Sequence, residues 1–299
     1  MSPGNPTIGF VGLGTMGSAV ATRLLEKGYR VLGYNRTQTK AEALRGAGLE
    51  VVDTPREATA GSDVCFSMVT DDQSLNAVAR GENGIIAGLR RGAVYIELST
   101  VSPQIARDLA KETSAVGATL LDAPVSGSVA HAQSGRLSFM VGGPAATLEQ
   151  VEPILLAIGE KITRVGDAGD GKLMKLATNL QVYIQTLGYA ESMRLAERGG
   201  IDPRIAMEVL LKSVVASPML QYRAPFMLER PQKAWFTIDL SVKDLRLALK
   251  AADELGVALP ATQAVAETFE RAVTTGHGAE EVAAIYDVVD QLRPTPTAR

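Results

Sequence analysis

The chain has 299 residues, 46% of them hydrophobic and 21% charged, enough for one large or two medium domains that bury sizeable cores. A net charge of −3 gives no basic field to draw it to DNA, RNA or acidic membranes. One cysteine, Cys65, excludes an internal disulfide framework and fits a reducing, cytoplasmic compartment, and with only His131 and His277 beside it no multi-ligand zinc site is expected.

The N-terminus "MSPGNPTIGFVG" lacks a basic region followed by a long apolar stretch, so no signal peptide is expected. No run reaches the roughly 18 apolar residues of a transmembrane helix. The first half alternates β-rich runs with helical patterns. "TIGFV" (7–11), "VLGYN" (31–35), "DVCFSMV" (63–69), "AVYIEL" (93–98), "TLLDA" (119–123), "LSFMVGG" (137–143) and "ITRVG" (162–166) read as strands. That rhythm predicts a parallel α/β sheet. After Gly166 the strand signal stops. A helical pattern runs from Lys172 to Arg198, and "IDPRIAMEVLLK" supplies Asp202 as N-cap and Pro203 as first helical residue. Further helices are predicted over about 239–255, 260–275 and 278–291, and "RPTPTAR" reads as a frayed tail. The expected organisation is α/β: a Rossmann-type doubly wound sheet domain (1–166), then an all-helical domain (167–299) opened by a long interdomain helix. No internal repeat is evident.

"GFVGLGTMG" places Gly12-x-Gly14-x-x-Gly17 after the first strand and at a helix start. In that context the motif is a dinucleotide fingerprint: Gly12 for the tight turn, Gly14 for approach of the pyrophosphate, Gly17 for helix–strand packing. Gly12, Leu13, Gly14, Thr15, Met16 and Gly17 are therefore candidate cofactor residues, with the helix N–H groups facing the phosphates. The second strand ends in "YNRT", where an NAD binder usually has Asp or Glu for the ribose 2′-OH. Asn35, Arg36 and Thr37 stand there instead. A guanidinium clasps a 2′-phosphate that a carboxylate would repel, so NADPH is expected over NADH.

"GDGKLMKLATN" (169–179) puts Lys172, Lys175 and Asn179 within one helical arc. A nicotinamide reductase needs a proton donor at the carbonyl that receives hydride. Neither histidine has a convincing orienting partner in sequence, whereas an ammonium can serve, with Asn179 one turn on holding the substrate. Spacing alone does not choose between the lysines. Lys172 can equally bind phosphate or solvate the helix start.

Taken with "DAPVSGS" (122–128) and "KDLRLAL" (243–249), these motifs resemble the β-hydroxyacid dehydrogenase family over nearly the whole chain. The family includes 3-hydroxyisobutyrate dehydrogenases, tartronate semialdehyde reductases and glyoxylate/succinic semialdehyde reductases. Its G-x-G-x-x-x-K-x-x-x-N pattern falls on Gly169, Gly171, Lys175 and Asn179. The resemblance implies that Lys175, not Lys172, is the catalytic acid/base, on a stripe facing a cleft between domains. It implies that Ser126, Gly127 and Ser128 hold a substrate carboxylate, with Ser128 pointing to the glyoxylate/succinic semialdehyde reductase branch. Lys243 is expected at the cofactor, Phe236 and Asp244 among the cleft residues, and Thr100 beside the nicotinamide ribose. Val69 and Thr70 follow a strand end, where open α/β sheets bind ligands. Glu97 stands where members often have aspartate.

The implied activity is an NADPH-dependent interconversion of a short aldehyde or keto acid and its hydroxy acid. Imine reductases of similar architecture, which generally lack the lysine, and non-catalytic scaffolds are the alternatives. Leu176, Leu180, Tyr183, Ile184 and Leu187 exceed the needs of one small domain, so a homodimer or homotetramer is expected.

Overall fold

The computed structural model describes residues 5–292, and the tail "RPTPTAR" lies outside them. The strands are β1 (Ile8–Val11), β2 (Val31–Tyr34), β3 (Glu50–Val51), β4 (Val64–Ser67), β5 (Val94–Glu97), β6 (Thr119–Asp122), β7 (Val125–Ser126), β8 (Leu137–Gly142) and β9 (Gly159–Gly166). Interleaved with them are α1 (Thr15–Glu26), α2 (Gln38–Glu42), α3 (Pro55–Ala60), α4 (Asp72–Ala79), α5 (Ile85–Gly88), α6 (Pro103–Ala115), α7 (Val129–Ser134) and α8 (Ala145–Ile158). The sheet order is β3-β2-β1-β4-β5-β6-β8-β7, with β9 against β8. From β3 to β6 every pairing is parallel; β8 runs antiparallel to β6 and β7. This is the doubly wound arrangement, with strand order reversing between β1 and β4.

Both faces of the sheet are covered, which explains why its strands read as unbroken apolar runs. Ile8, Phe10, Phe66 and Ile96 pack on one face with Val20, Leu24 and Leu155. Val11, Cys65 and Tyr95 pack on the other with Leu75, Ile105 and Leu109. Burial pushes the Cys65 thiol up to about 12, which keeps it protonated at neutral pH.

The rest is helical: α9 (Asp170–Arg198), α10 (Pro203–Lys212), α11 (Pro218–Arg223), α12 (Ile238–Leu255), α13 (Pro260–Ala272) and α14 (Ile285–Gln291). Asp202 caps α10 as predicted, accepting from the N–H groups of Arg204 and Ile205. Two compact units, 1–175 and 176–299, divide inside α9 rather than at 166. The first turn of α9 belongs to the sheet unit. The second unit has its own core, and this corrects the oligomer argument. Tyr183 and Leu187 lie inside that core and Ile184 packs against it, so the apparent apolar surplus of the long helix is largely domain interior. Among the described residues no helix is long and apolar enough to cross a membrane.

Candidate active site

The glycine loop has the shape its motif predicts. Gly12 has φ +99, and a Cβ there would lie 2.3 Å from the Met68 carbonyl oxygen. A Cβ on Gly17 would lie 2.0 Å from the Gly12 carbonyl oxygen, so helix and turn touch through hydrogen alone. At Gly14 a Cβ would meet no protein atom within 4 Å. Glycine is therefore not needed there by the chain's own packing, while it leaves the backbone open to a close ligand. No side chain caps the start of α1. These features fit a dinucleotide's phosphates.

Asn35 braces the loop from within. Its Oδ1 accepts from the Leu13 N–H at 2.9 Å and its Nδ2 donates to the Thr37 carbonyl at 2.9 Å. The amide thus ties the glycine loop to the end of β2. Arg36 and Thr37 beside it are exposed, and Arg36 has no ion-pair partner among the described residues.

The lysine stripe splits. Lys172 is 0% exposed, and its ammonium lies 2.6 Å from Glu97 Oε2, itself 1% exposed. The same ammonium donates to the Glu97 carbonyl at 2.8 Å, and the Lys172 N–H donates to Asp122 Oδ2 at 2.9 Å. The first turn of α9 is therefore stitched to the ends of β5 and β6. Neither phosphate binding nor solvation of the helix start is open to Lys172, and the reason is Glu97. Gly171 makes the approach possible: a Cβ there would lie 2.5 Å from the Asp122 carbonyl oxygen. Burial raises the Asp122 carboxyl above the ordinary aspartate value, opposed by Lys172. Lys175, one turn on, is half-buried.

Glu97 also reaches the strand-end loops. Its Oε1 accepts from the Ser99 N–H at 2.9 Å and from the Ser67 hydroxyl at 3.2 Å. Ser99 Oγ accepts the Val69 N–H at 2.8 Å. Because Ser67 gives its only hydroxyl proton to Glu97, the Tyr95 hydroxyl, 2.7 Å away, donates to Ser67. Val69 and Thr70 follow β4, and Thr100 follows Ser99.

In the "VSGS" loop, Ser126 ends β7 half-buried, Gly127 is exposed with φ +139, and Ser128 precedes α7. Ser128 is engaged: its N–H reaches His131 Nδ1 at 3.1 Å and its hydroxyl lies 2.8 Å from the same nitrogen. Nδ1, accepting the N–H, carries no proton itself. His131 thus has a partner that sequence alone did not reveal.

Asn179, Phe236, Lys243 and Asp244 belong to the second unit. Asp244 is 1% exposed, and its Oδ2 accepts from the Asn179 amide and the Tyr183 hydroxyl, both at 2.6 Å. Lys243 lies 2.8 Å from its other oxygen. Asp244 is therefore a buried acceptor, with two hydrogen-bond donors on one carboxylate oxygen and the Lys243 charge beside the other. Burial, then Asp244, raises the Tyr183 hydroxyl well above its ordinary value. Phe236 stacks on Tyr183 with centroids 6.4 Å apart. Glu281, which the sequence reading passed over, is paired with Arg223 at 2.8 Å and accepts the N–H groups of Trp235 and Phe236.

Among the described residues no group of three or more His, Cys, Asp or Glu side chains is arranged to hold a metal. Residues 7–166 match the family model described as the NAD binding domain of 6-phosphogluconate dehydrogenase. Residues 169–289 match the model described as NAD-binding of NADP-dependent 3-hydroxyisobutyrate dehydrogenase. The chain is 33% identical to glyoxylate/succinic semialdehyde reductase 2, chloroplastic, of Arabidopsis thaliana over 286 residues, 96% of this chain and 80% of that protein. It is 33% identical to 2-hydroxy-3-oxopropionate reductase of Escherichia coli over 285 residues, 95% of this chain and 97% of the other. The solved structure of Mycobacterium tuberculosis 3-hydroxyisobutyrate dehydrogenase with L-serine superposes with a TM-score of 0.83 at 28% identity, covering 95% of this chain and 99% of that one. With models matched on both units and relatives similar from end to end, the chain belongs to the β-hydroxyacid dehydrogenase family of nicotinamide-dependent oxidoreductases.

Proposed function

We propose that this chain is an NADPH-dependent reductase of short aldehyde or keto acids, glyoxylate or succinic semialdehyde among them, running in reverse as a hydroxyacid dehydrogenase. The observation that carries the assignment of its acid is the fate of the two lysines. Lys172 is sealed against Glu97, which supports Lys175 as the proton donor. The bound nicotinamide supplies the hydride. Lys175 gives a proton to the carbonyl oxygen, and as a neutral amine takes it back in the oxidative direction.

Ser126 and Gly127 offer a hydroxyl and backbone donors to the substrate carboxylate. Ser128 is spent on His131 and shapes that loop. Asn179 gives its Nδ2 hydrogens to Asp244 and, at 3.5 Å, to Tyr183, so its Oδ1 is the group left for a substrate hydroxyl. Asp244 then acts on substrate through Asn179. Gly12 to Gly17 hold the pyrophosphate, Arg36 and Thr37 the 2′-phosphate, Val69, Thr70 and Thr100 the nicotinamide half, and Lys243 completes the cofactor set.

We place the enzyme in the cytoplasm and read it as a homo-oligomer. Ile205 and Val209, one turn apart on α10 and 56% and 62% exposed, give its helical unit an apolar stripe to cover.

The test is NADPH oxidation with glyoxylate, succinic semialdehyde, tartronate semialdehyde and methylmalonate semialdehyde, with butanal and cyclic imines as controls. Turnover confined to the aldehyde acids supports the reading. Equal efficiency for butanal and succinic semialdehyde removes the anion site, and faster imine turnover replaces the reaction class.

A further inference from the structure

We infer that Lys172, Glu97 and Ser99 are positioning residues for the cofactor: a buried polar chain that sets the loops after β4 and β5. The inference rests on the reading of Val69, Thr70 and Thr100 as cofactor residues. Its observations lie wholly within the sheet unit. Lys172 holds Glu97 by charge at one carboxylate oxygen. The other oxygen fixes Ser99 through its N–H and Ser67 through its hydroxyl. Ser99 Oγ then takes the Val69 N–H at 2.8 Å. Every member from Ser67 to Lys172 is 2% exposed or less, so water does not compete for these bonds.

The placement gives the chain its consequence. Ser67, Glu97 and Asp122 are the last residues of β4, β5 and β6. The carboxyl ends of parallel strands are where such sheets bind dinucleotides. Two adjacent loops, which have no regular structure to define them, are thereby referred to one buried charge pair. Simple fold support does not require this reach: an apolar pair of similar volume would join α9 to β5 equally well, but it would leave the Ser99 and Val69 N–H groups without a defined register.

The experiment separates holding the fold from holding the cofactor. NADPH affinity is measured by fluorescence titration, with KM for glyoxylate and thermal unfolding alongside, for the parent, Ser99→Ala and the double variant Glu97→Leu/Lys172→Met. Ser99→Ala removes only the acceptor for Val69. It should raise the NADPH Kd by about three- to tenfold while Tm and the glyoxylate KM stay near parental. The double variant replaces the pair by apolar groups and should fold, yet lose NADPH affinity by about tenfold or more. Should the double variant not fold, Ser99→Ala decides alone. NADPH Kd values within about twofold of the parent in the folded variants would overturn the inference, leaving the network purely structural. A parent that binds neither NADPH nor NADH removes the cofactor reading itself, which is a separate failure.

Discussion

The Lys172 ammonium sits 2.6 Å from Glu97 Oε2, with both side chains shut off from solvent. Removing one partner of such a pair leaves an uncompensated buried charge, at a cost of about 3–5 kcal/mol, whereas replacing both is often near neutral. Lys172→Met should therefore lower the unfolding free energy by about that amount. Glu97→Leu in the same chain should restore only part of it, because it removes the unpaired charge but leaves the Ser99 N–H and the Ser67 hydroxyl without their acceptor. Urea unfolding of the two variants checks this, and a single variant as stable as the double would contradict it.

That pair also shows where the sequence reading stopped. Unbroken apolar runs and the glycine motif carried the strands, the parallel pairing from β2 to β6 and the loop, but not the antiparallel turn of β8 against β6 and β7. The two-residue strands β3 and β7 escaped, being too short to show a period. Lys172 and Glu97 are far apart in sequence, and nothing local to either marks the other. "GDGKLMKLATN" therefore read as one stripe of three polar groups. In the fold Lys172 turns into the sheet unit and Asn179 toward Asp244 in the helical unit. The same blindness hid Glu281 beneath Phe236, whereas Ser128 and His131, only three residues apart, were missed because a histidine is not the usual N3 partner of a capping serine.

Asp122 should leave a pH signature. Burial raises its folded-state carboxyl value above the unfolded 3.8, so the folded chain binds this proton more tightly. Its contribution to stability is full below the unfolded value and is lost as pH rises through the folded one. Asp122→Asn does not titrate. The stability difference between variant and parent should move in the variant's favour as pH climbs through a window opening near 3.8. Exposed glutamates with lowered values, such as Glu42 and Glu50, pull the other way, but they are common to both proteins and cancel. Urea midpoints for both between about pH 4 and 7 test the point; a constant difference would refute it.

Cofactor choice should turn on Arg36. It is exposed at the end of β2 with no ion-pair partner among the described residues, while Asn35 is occupied in bracing Leu13. NADPH brings a 2′-phosphate for the guanidinium, and NADH does not. A hydrogen bond to a charged group contributes about 1.5–3 kcal/mol, roughly ten- to a hundredfold in affinity. Arg36→Ala should weaken NADPH by about that factor and leave NADH nearly unchanged. Dissociation constants for both nucleotides decide it: an equal loss for both, or a parental preference for NADH, would sink the assignment.

Lys175 should be separable from everything that merely holds the site. It lies one turn beyond Lys172 on the same helix, but Lys172 is fully enclosed and Lys175 is half-buried. Its proposed work is a single proton transfer, which a positioned general acid accelerates by roughly 10²–10⁴. Lys175→Ala should therefore lower kcat by about that factor with the NADPH Kd unchanged, since the phosphate cradle at Gly12 to Gly17 lies elsewhere in the unit. Lys172→Met should show a different pattern: stability and cofactor affinity fall, and whatever protein stays folded turns over with Lys175 in place. Lys175→Arg keeps the charge but holds its proton too tightly to give it up near neutral pH, so it should be as impaired in kcat as the alanine variant. If the arginine variant retained parental turnover, charge alone would suffice at this position and Lys175 would be an electrostatic anchor for the substrate rather than its acid.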